Sequence, residues 1–178
     1  MAKRSDGDFE RRKNDLYETF DPRAVAALLP HLSPGTRFVE PCAGRGVLLD
    51  QLVIAGHVCI SAYDIAPGRE DIVEADALTA LGGSTPPDRY ITNPPWTRAI
   101  LHPMIVHLSD KAPTWLLFDA DWKHTKQARP YLPRMKKIVS VGRLKWIPGS
   151  PHDGKDNCAW YLFDRPGNAP AEFYGRAA

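Results

Sequence analysis

From residue 36 onward, short β-rich runs alternate with stretches of helical periodicity. Thr36-Arg37-Phe38-Val39 opens the series, followed by runs at 58–63 and 90–92, a weaker one at 71–73, and another at 115–118. Between them, 47–55 carries a helical pattern that stops at Gly56. A second helix is predicted over 100–108, where Pro103 fits only near a first turn. Upstream, Asp21-Pro22 reads as an N-cap followed by a first helical residue, with Ala24, Val25, Ala27, Leu28 and Leu29 behind it and Pro30 and Pro34 as stops. The last third differs: β-rich runs at 137–141 and 158–163 flank a turn-rich polar loop over 148–157. Strand–helix alternation predicts βαβ units, hence an α/β fold with a mostly parallel sheet covered on both faces. The final pair predicts two antiparallel strands closing the sheet edge, with a loop long enough to be functional.

Each strand of the parallel series ends in a polar or glycine-rich turn. Glu40-Pro41-Cys42-Ala43-Gly44-Arg45-Gly46 follows the first strand and opens a helix. Glycines there let the backbone turn sharply and approach a ligand. With two glycines the turn lacks the three-glycine dinucleotide pattern, and Glu40 suits an amine-bearing ligand rather than a pyrophosphate. Asp64 ends the second strand, 18 residues after Gly46, near the spacing at which a carboxylate accepts from ribose hydroxyls. Asp76, beside Ala77, follows the third strand and could accept from an adenine amino group. Asn93-Pro94-Pro95-Trp96 follows the fourth. Its prolines stiffen the turn, and the Asn93 amide oxygen and Pro94 carbonyl are two acceptors for one amino group. Trp96 offers a flat face for stacking a base.

Together these segments resemble class I S-adenosylmethionine-dependent methyltransferases of the amino-group type, which include DNA N6-adenine methyltransferases. Residues 40–46 match that family's methionine-binding motif, Asp64 with Ile65 its ribose position, Glu74-Ala75-Asp76-Ala77 its adenine-binding motif, and Asn93–Trp96 its catalytic motif. Tyr17-Glu18-Thr19-Phe20-Asp21-Pro22 is similar to the segment that packs on the methionyl part of the cofactor. The resemblance spans about residues 16–165. It implies a Rossmann-like fold with a mostly parallel seven-stranded sheet, an antiparallel strand at one edge and helices on both faces. It also implies S-adenosyl-L-methionine as cofactor, with Tyr17, Thr19, Phe20, Glu40, Pro41, Cys42, Ala43, Gly44, Gly46, Asp64, Ile65, Asp76 and Ala77 in contact with it. Asn93, Pro94, Pro95 and Trp96 are the implied catalytic residues. Trp stands where Tyr or Phe is commoner in the DNA enzymes, and Trp also occurs in RNA adenine methyltransferases. The expected reaction is methylation of adenine N6 in DNA, with RNA, a protein glutamine amide, or a non-catalytic nucleic-acid module as alternatives.

Charge sharpens the expected partner. Residues 40–92 hold three basic and eight acidic side chains, a net −5, whereas 123–155 hold nine Lys/Arg against Asp153, a net +8. A localised basic segment carrying aromatic residues is the footprint of a phosphate backbone partner. The expected nucleic-acid contacts are Trp122, Lys123, Lys126, Arg129, Lys145 and Lys155. Asp119 and Asp121 either bind substrate or cap a following helix, and the cap is favoured.

The 178 residues suit one domain over 16–178, preceded by a charged arm over 1–15, without room for a separate target-recognition domain. Apolar residues at 43% and charged residues at 25% exclude a disordered tail or a fibre, and no apolar run is long enough for a membrane helix. Three widely spaced cysteines make no disulfide framework and, with the absence of a secretory pattern, point to the cytoplasm. Cys42 lacks a base partner and reads as small-residue packing. Six histidines show no metal spacing, so no metal is expected.

Overall fold

A computed structural model describes residues 17–79, 81 and 86–176; the arm expected over 1–15 lies outside them. Eight strands form one sheet: β1 Arg37–Glu40, β2 Val58–Asp64, β3 Val73–Glu74, β4 Arg89–Thr92, β5 Thr114–Asp119, β6 Met135–Arg143, β7 Asn157–Phe163 and β8 Glu172–Tyr174. Their order is β3-β2-β1-β4-β5-β7-β6-β8. The first five strands are mutually parallel. Strand β7 runs antiparallel to both β5 and β6, and β8 joins β6 in parallel. The expected mostly parallel α/β sheet is present, with one strand more than the expected seven. The addition is β8, whose three exposed residues carry no burial alternation that a sequence reading could detect.

Helix α1 spans Pro22–Leu28, with Asp21 as its N-cap and Pro22 at the first helical position, as the sequence predicts. Helix α2 spans Val47–Ile54 and α3 Arg98–Ser109. Helix α3 starts earlier than expected, so Pro103 lies inside it rather than in the first turn. The carbonyl it leaves unbonded belongs to Ala99, an exposed residue that water can reach. Instead of a helix after β5, the chain makes two 3-10 segments, Trp122–His124 and Lys126–Arg134, the second carrying Pro130 and Pro133.

Strand periodicity sorts the core into two layers. Phe38, Ile91, Trp115, Leu117, Trp160 and Leu162 pack toward α1 and α2. Their neighbours Val39, Tyr90, Leu116, Phe118, Tyr161 and Phe163 pack toward α3 and Ala128. A period of two places successive side chains on opposite faces, so β1, β4, β5 and β7 each feed both layers.

The chain runs outward from β1 through β2 to β3 and then returns to place β4 on the other side of β1. The carboxyl ends of β1 and β4 therefore flank the point where strand order reverses, where open α/β sheets form a ligand crevice. Because β6 runs in the same direction as β5, the loop after β6 emerges on that same edge.

Candidate functional site at the carboxyl edge

The turn after β1 is knitted to the turn after β2. Gly44 N donates to Asp64 Oδ2 at 2.7 Å, Ala43 N to the Tyr63 carbonyl at 2.8 Å, and Gly68 N to the Gly44 carbonyl at 2.9 Å. Gly46, at φ +80°, is the residue before α2. A Cβ there would come within 2.6 Å of the Arg69 guanidinium, which Asp50 and Asp71 hold in place. Glycine is required at this position both for its backbone angle and for that close approach.

A cleft of about 220 Å³ opens beside this turn. Three successive strand ends contribute carboxylates to it: Glu40, Asp64 and Asp76. Glu40, the last residue of β1, is 2% exposed, and its Oε2 has no hydrogen-bond partner among the described residues. Burial pushes its carboxyl well above the usual range, and the nearby Asp64 carboxylate adds to the effect. Asp64 is tied down by its own loop, Oδ1 accepting from Ala66 N at 2.8 Å. Asp76 Oδ1 accepts from Leu78 N at 2.8 Å.

Asn93 faces these carboxylates from the end of β4, with Pro95 beside it in the lining. Its Nδ2 donates to the Tyr17 carbonyl at 2.8 Å, and its Oδ1 accepts from Trp96 Nε1 at 3.2 Å. A carbonyl can only accept and an indole N–H can only donate, so the two partners define which end of the amide is oxygen. Tyr17 and its neighbours close the cleft: Arg45 N donates to Glu18 Oε1 at 3.2 Å, and Gln51 Nε2 to the Thr19 carbonyl at 2.6 Å.

Of the expected cofactor residues, Tyr17, Thr19, Glu40, Pro41, Cys42, Ala43, Gly44, Asp64, Ile65, Asp76 and Ala77 line the cleft. Phe20 and Gly46 do not; Gly46 lies beneath the turn against Arg69. In the turn over 93–96, Asn93 and Pro95 are in the lining, whereas Pro94 is buried and Trp96 is half-buried against both core layers. Cys42 lines the cleft, and burial pushes its thiol up, with the Asp64 and Glu40 carboxylates adding to it, which disfavours the thiolate form. Residues absent from the sequence expectation also line the cleft: Glu18, Val47, Leu48, Ala66, Leu78, Ile100 and Met104.

A further aromatic residue, Trp146, stands next to the turn over 93–96. The Trp146 ring is 5.8 Å from that of Trp96 at 88°, and 6.5 Å from that of Tyr17 at 69°. It lies just beyond β6, on the shared edge. In the sequence it is one of three aromatic residues, with Trp122 and Tyr131, in or next to the basic segment.

The expected nucleic-acid contacts divide. Trp122 is corrected: it is 3% exposed, donates through Nε1 to His102 Nε2 at 3.1 Å, and packs on Phe118, Tyr161 and Phe163. A ring buried in this way has no face to offer a base. Lys123, next to it, donates to the Ala120 carbonyl at 2.7 Å. Lys126, Arg129 and Lys155 are exposed and Lys145 is half-buried. Asp119 Oδ1 accepts from Asp121 N, a turn at the strand end, and the 3-10 segment that follows has no side-chain cap. Among the described residues no cluster of metal-ligating side chains occurs, and no helix is long and apolar enough to cross a membrane.

No protein-family model and no curated protein matches this chain. Solved structures do match. A Listeria monocytogenes protein assigned to the class I S-adenosylmethionine-dependent methyltransferases aligns over 88% of this chain and 64% of its own, at 11% identity and TM-score 0.57. A Pyrococcus horikoshii protein assigned as an RNA methyltransferase aligns over 82% of each chain, at 13% identity and TM-score 0.54. The methyltransferase subunit of a type I restriction-modification system from Streptococcus thermophilus aligns over 86% of this chain and 45% of its own, at 10% identity and TM-score 0.53. At these identities the likeness is one of architecture, and the chain has the class I methyltransferase fold.

Proposed function

We propose that the protein is an S-adenosylmethionine-dependent methyltransferase that methylates the N6 amino group of adenine in DNA. The observation that carries this reading is the meeting of Glu40, Asp64, Asp76 and Asn93 in one cleft at the strand-order reversal. A buried carboxyl oxygen without a partner suits the cofactor's ammonium group. Asp64 and Asp76 keep lone pairs for ribose hydroxyls and an adenine amine.

When bound, the cofactor supplies an electrophilic methyl group on a sulfonium. Everything else falls to this chain. Glu40 and the glycine turn would hold the amino-acid end, and Asp64 the ribose. Asn93 Oδ1 has a second lone pair beyond the one Trp96 uses, and it would accept from the substrate amine; the Pro94 carbonyl, buried behind the lining, would have to turn toward the amine to act as the second acceptor. Holding both amine hydrogens orients the nitrogen lone pair for in-line attack, so orientation and dispersal of developing positive charge supply most of the acceleration. The base would leave its stack and enter the cleft beside Asn93 and Pro95, on the side of the Trp96–Trp146 pair. Lys145 and Lys155, on the loop from the same sheet edge, would meet the backbone phosphates.

The structural neighbours include an RNA methyltransferase and a restriction-modification methyltransferase subunit, which supports a nucleic-acid acceptor in general. Labelled cofactor offered with single-stranded DNA, duplex DNA, RNA and a protein extract, followed by nucleoside mass spectrometry, tests the reading. N6-methyladenine in DNA is the expected product. Labelled RNA or glutamine would transfer the reading to that acceptor, and absence of label in every acceptor would refute it.

A further inference from the structure

We infer that Asn93 is a positioning residue for the cofactor as well as the acceptor clamp, because its amide latches the segment 17–19 onto the acceptor turn. This rests on the cofactor reading of the cleft. The segment carries few attachments of its own: it lies outside any helix or strand. Three hydrogen bonds from outside residues 17–20 hold it among the described residues, and they come from three different elements. Gln51 of α2 holds the Thr19 carbonyl at 2.6 Å, Arg45 N of the glycine turn reaches Glu18 Oε1 at 3.2 Å, and Asn93 holds the Tyr17 carbonyl at 2.8 Å. The first two tie the segment to the cofactor side of the cleft. Asn93 supplies the hydrogen bond that ties it to the 93–96 turn, and the Tyr17 ring also meets Trp146 edge-on at 6.5 Å.

The donor in that third contact is the amide nitrogen, an atom that plays no part in accepting a substrate amine. An aspartate at position 93 would keep the acceptor oxygens but set a carboxylate against the Tyr17 carbonyl, two acceptors with no hydrogen between them. At the other end of the amide, Trp96 Nε1 fixes the oxygen. Phe and Tyr have no indole N–H to repeat this contact. Asn at 93 and Trp at 96 thus act as a matched pair. One end of the amide builds the cofactor wall, and the other presents the acceptor oxygen. Cofactor affinity should therefore depend on two residues of the acceptor turn.

The test uses S-adenosylhomocysteine binding by calorimetry, which needs no acceptor and no turnover, with amide hydrogen exchange over residues 17–20 in the ligand-free protein. Asn93→Asp should bind the ligand at least tenfold more weakly and exchange at least tenfold faster over 17–20, with exchange over β5 and β7 unchanged. Trp96→Phe should weaken binding about threefold in the same direction. Binding by Asn93→Asp within twofold of the wild type would overturn the inference. If the wild type binds no S-adenosylhomocysteine, the cofactor reading fails, and the exchange data still decide the latch: unchanged exchange over 17–20 in Asn93→Asp refutes it.

Discussion

Asp21 Oδ2 accepts a hydrogen bond from the backbone N–H of Lys145 at 2.9 Å, across 124 positions of sequence. The same carboxylate caps α1 through Arg23 N at 3.1 Å and grips the Arg23 guanidinium, which reaches on to Asp153 at 2.9 Å. One carboxylate thus ends the segment that closes the cleft, starts α1 and anchors both ends of the loop that carries Trp146.

Asp21 is 5% exposed, so its loss strips partners from groups that water reaches poorly. Asp21→Ala should destabilise the fold by about 1–3 kcal/mol in urea denaturation. Burial alone would raise the Asp21 carboxyl, but the hydrogen bonds from Arg23 and Lys145 N outweigh it and hold the group below its usual range. A carboxylate lowered in the folded state stabilises above its unfolded pKa of about 3.9, and that contribution disappears as pH falls through the folded value. Asp21→Asn should therefore flatten the loss of stability below about pH 4. An unchanged acid limb would show that Asp21 does not set it.

Glu40 works in the opposite sense. Its carboxyl is raised, so between the unfolded value of about 4.3 and the higher folded value the folded chain binds more protons than the unfolded one. Stability contributed by this group should fall as pH rises through that window. Glu40→Gln should remove the slope and stabilise the ligand-free protein near neutrality, while weakening S-adenosylhomocysteine binding about tenfold or more through loss of the carboxylate–ammonium pair. Urea titrations at pH 5 and pH 8, paired with calorimetry, read both effects.

Trp146 should matter to the acceptor and not to the cofactor. Trp146→Ala should raise the acceptor KM at least fivefold and leave S-adenosylhomocysteine affinity within twofold, in line with about 1–3 kcal/mol per stacked base. Gly154→Ala should act in the same direction, because its Cβ would come within 2.8 Å of the Trp146 ring and 3.1 Å of the Leu144 carbonyl. Steady-state kinetics with varied acceptor separates the two constants.

The turn beneath the cleft is equally constrained. Gly46→Ala places a Cβ at φ +80° and 2.6 Å from the Arg69 guanidinium. It should cost about 1–3 kcal/mol in urea denaturation. Arg69→Ala in the same background should recover part of that loss, since it removes the clash but not the backbone strain.

Most of the fold was readable because the strands of the parallel series announce themselves twice, by an apolar run and by the turn chemistry that ends it. Asp21-Pro22, Gly46 and Asn93-Pro94 are local signals, and local signals survive without knowledge of the partners. Three features depended on the partners. Trp122 lies among lysines in sequence but turns inward, because Phe118, Tyr161 and Phe163 share one face of β5 and β7. Strand β8 exists only because β6 offers an edge. Trp146 meets Trp96 and Tyr17 because β6 shares a direction with β5, which brings the loop after β6 to the same sheet edge.

The most direct measurement is a structure of the protein bound to S-adenosylhomocysteine. The amino-acid end should rest beside Glu40 and the glycine turn, the ribose at Asp64, the adenine at Asp76 and Ala77, and the sulfur toward Asn93, whose amide keeps its bond to Tyr17. A ligand seated outside this cleft, or an Asn93 side chain withdrawn from it on binding, would contradict the account.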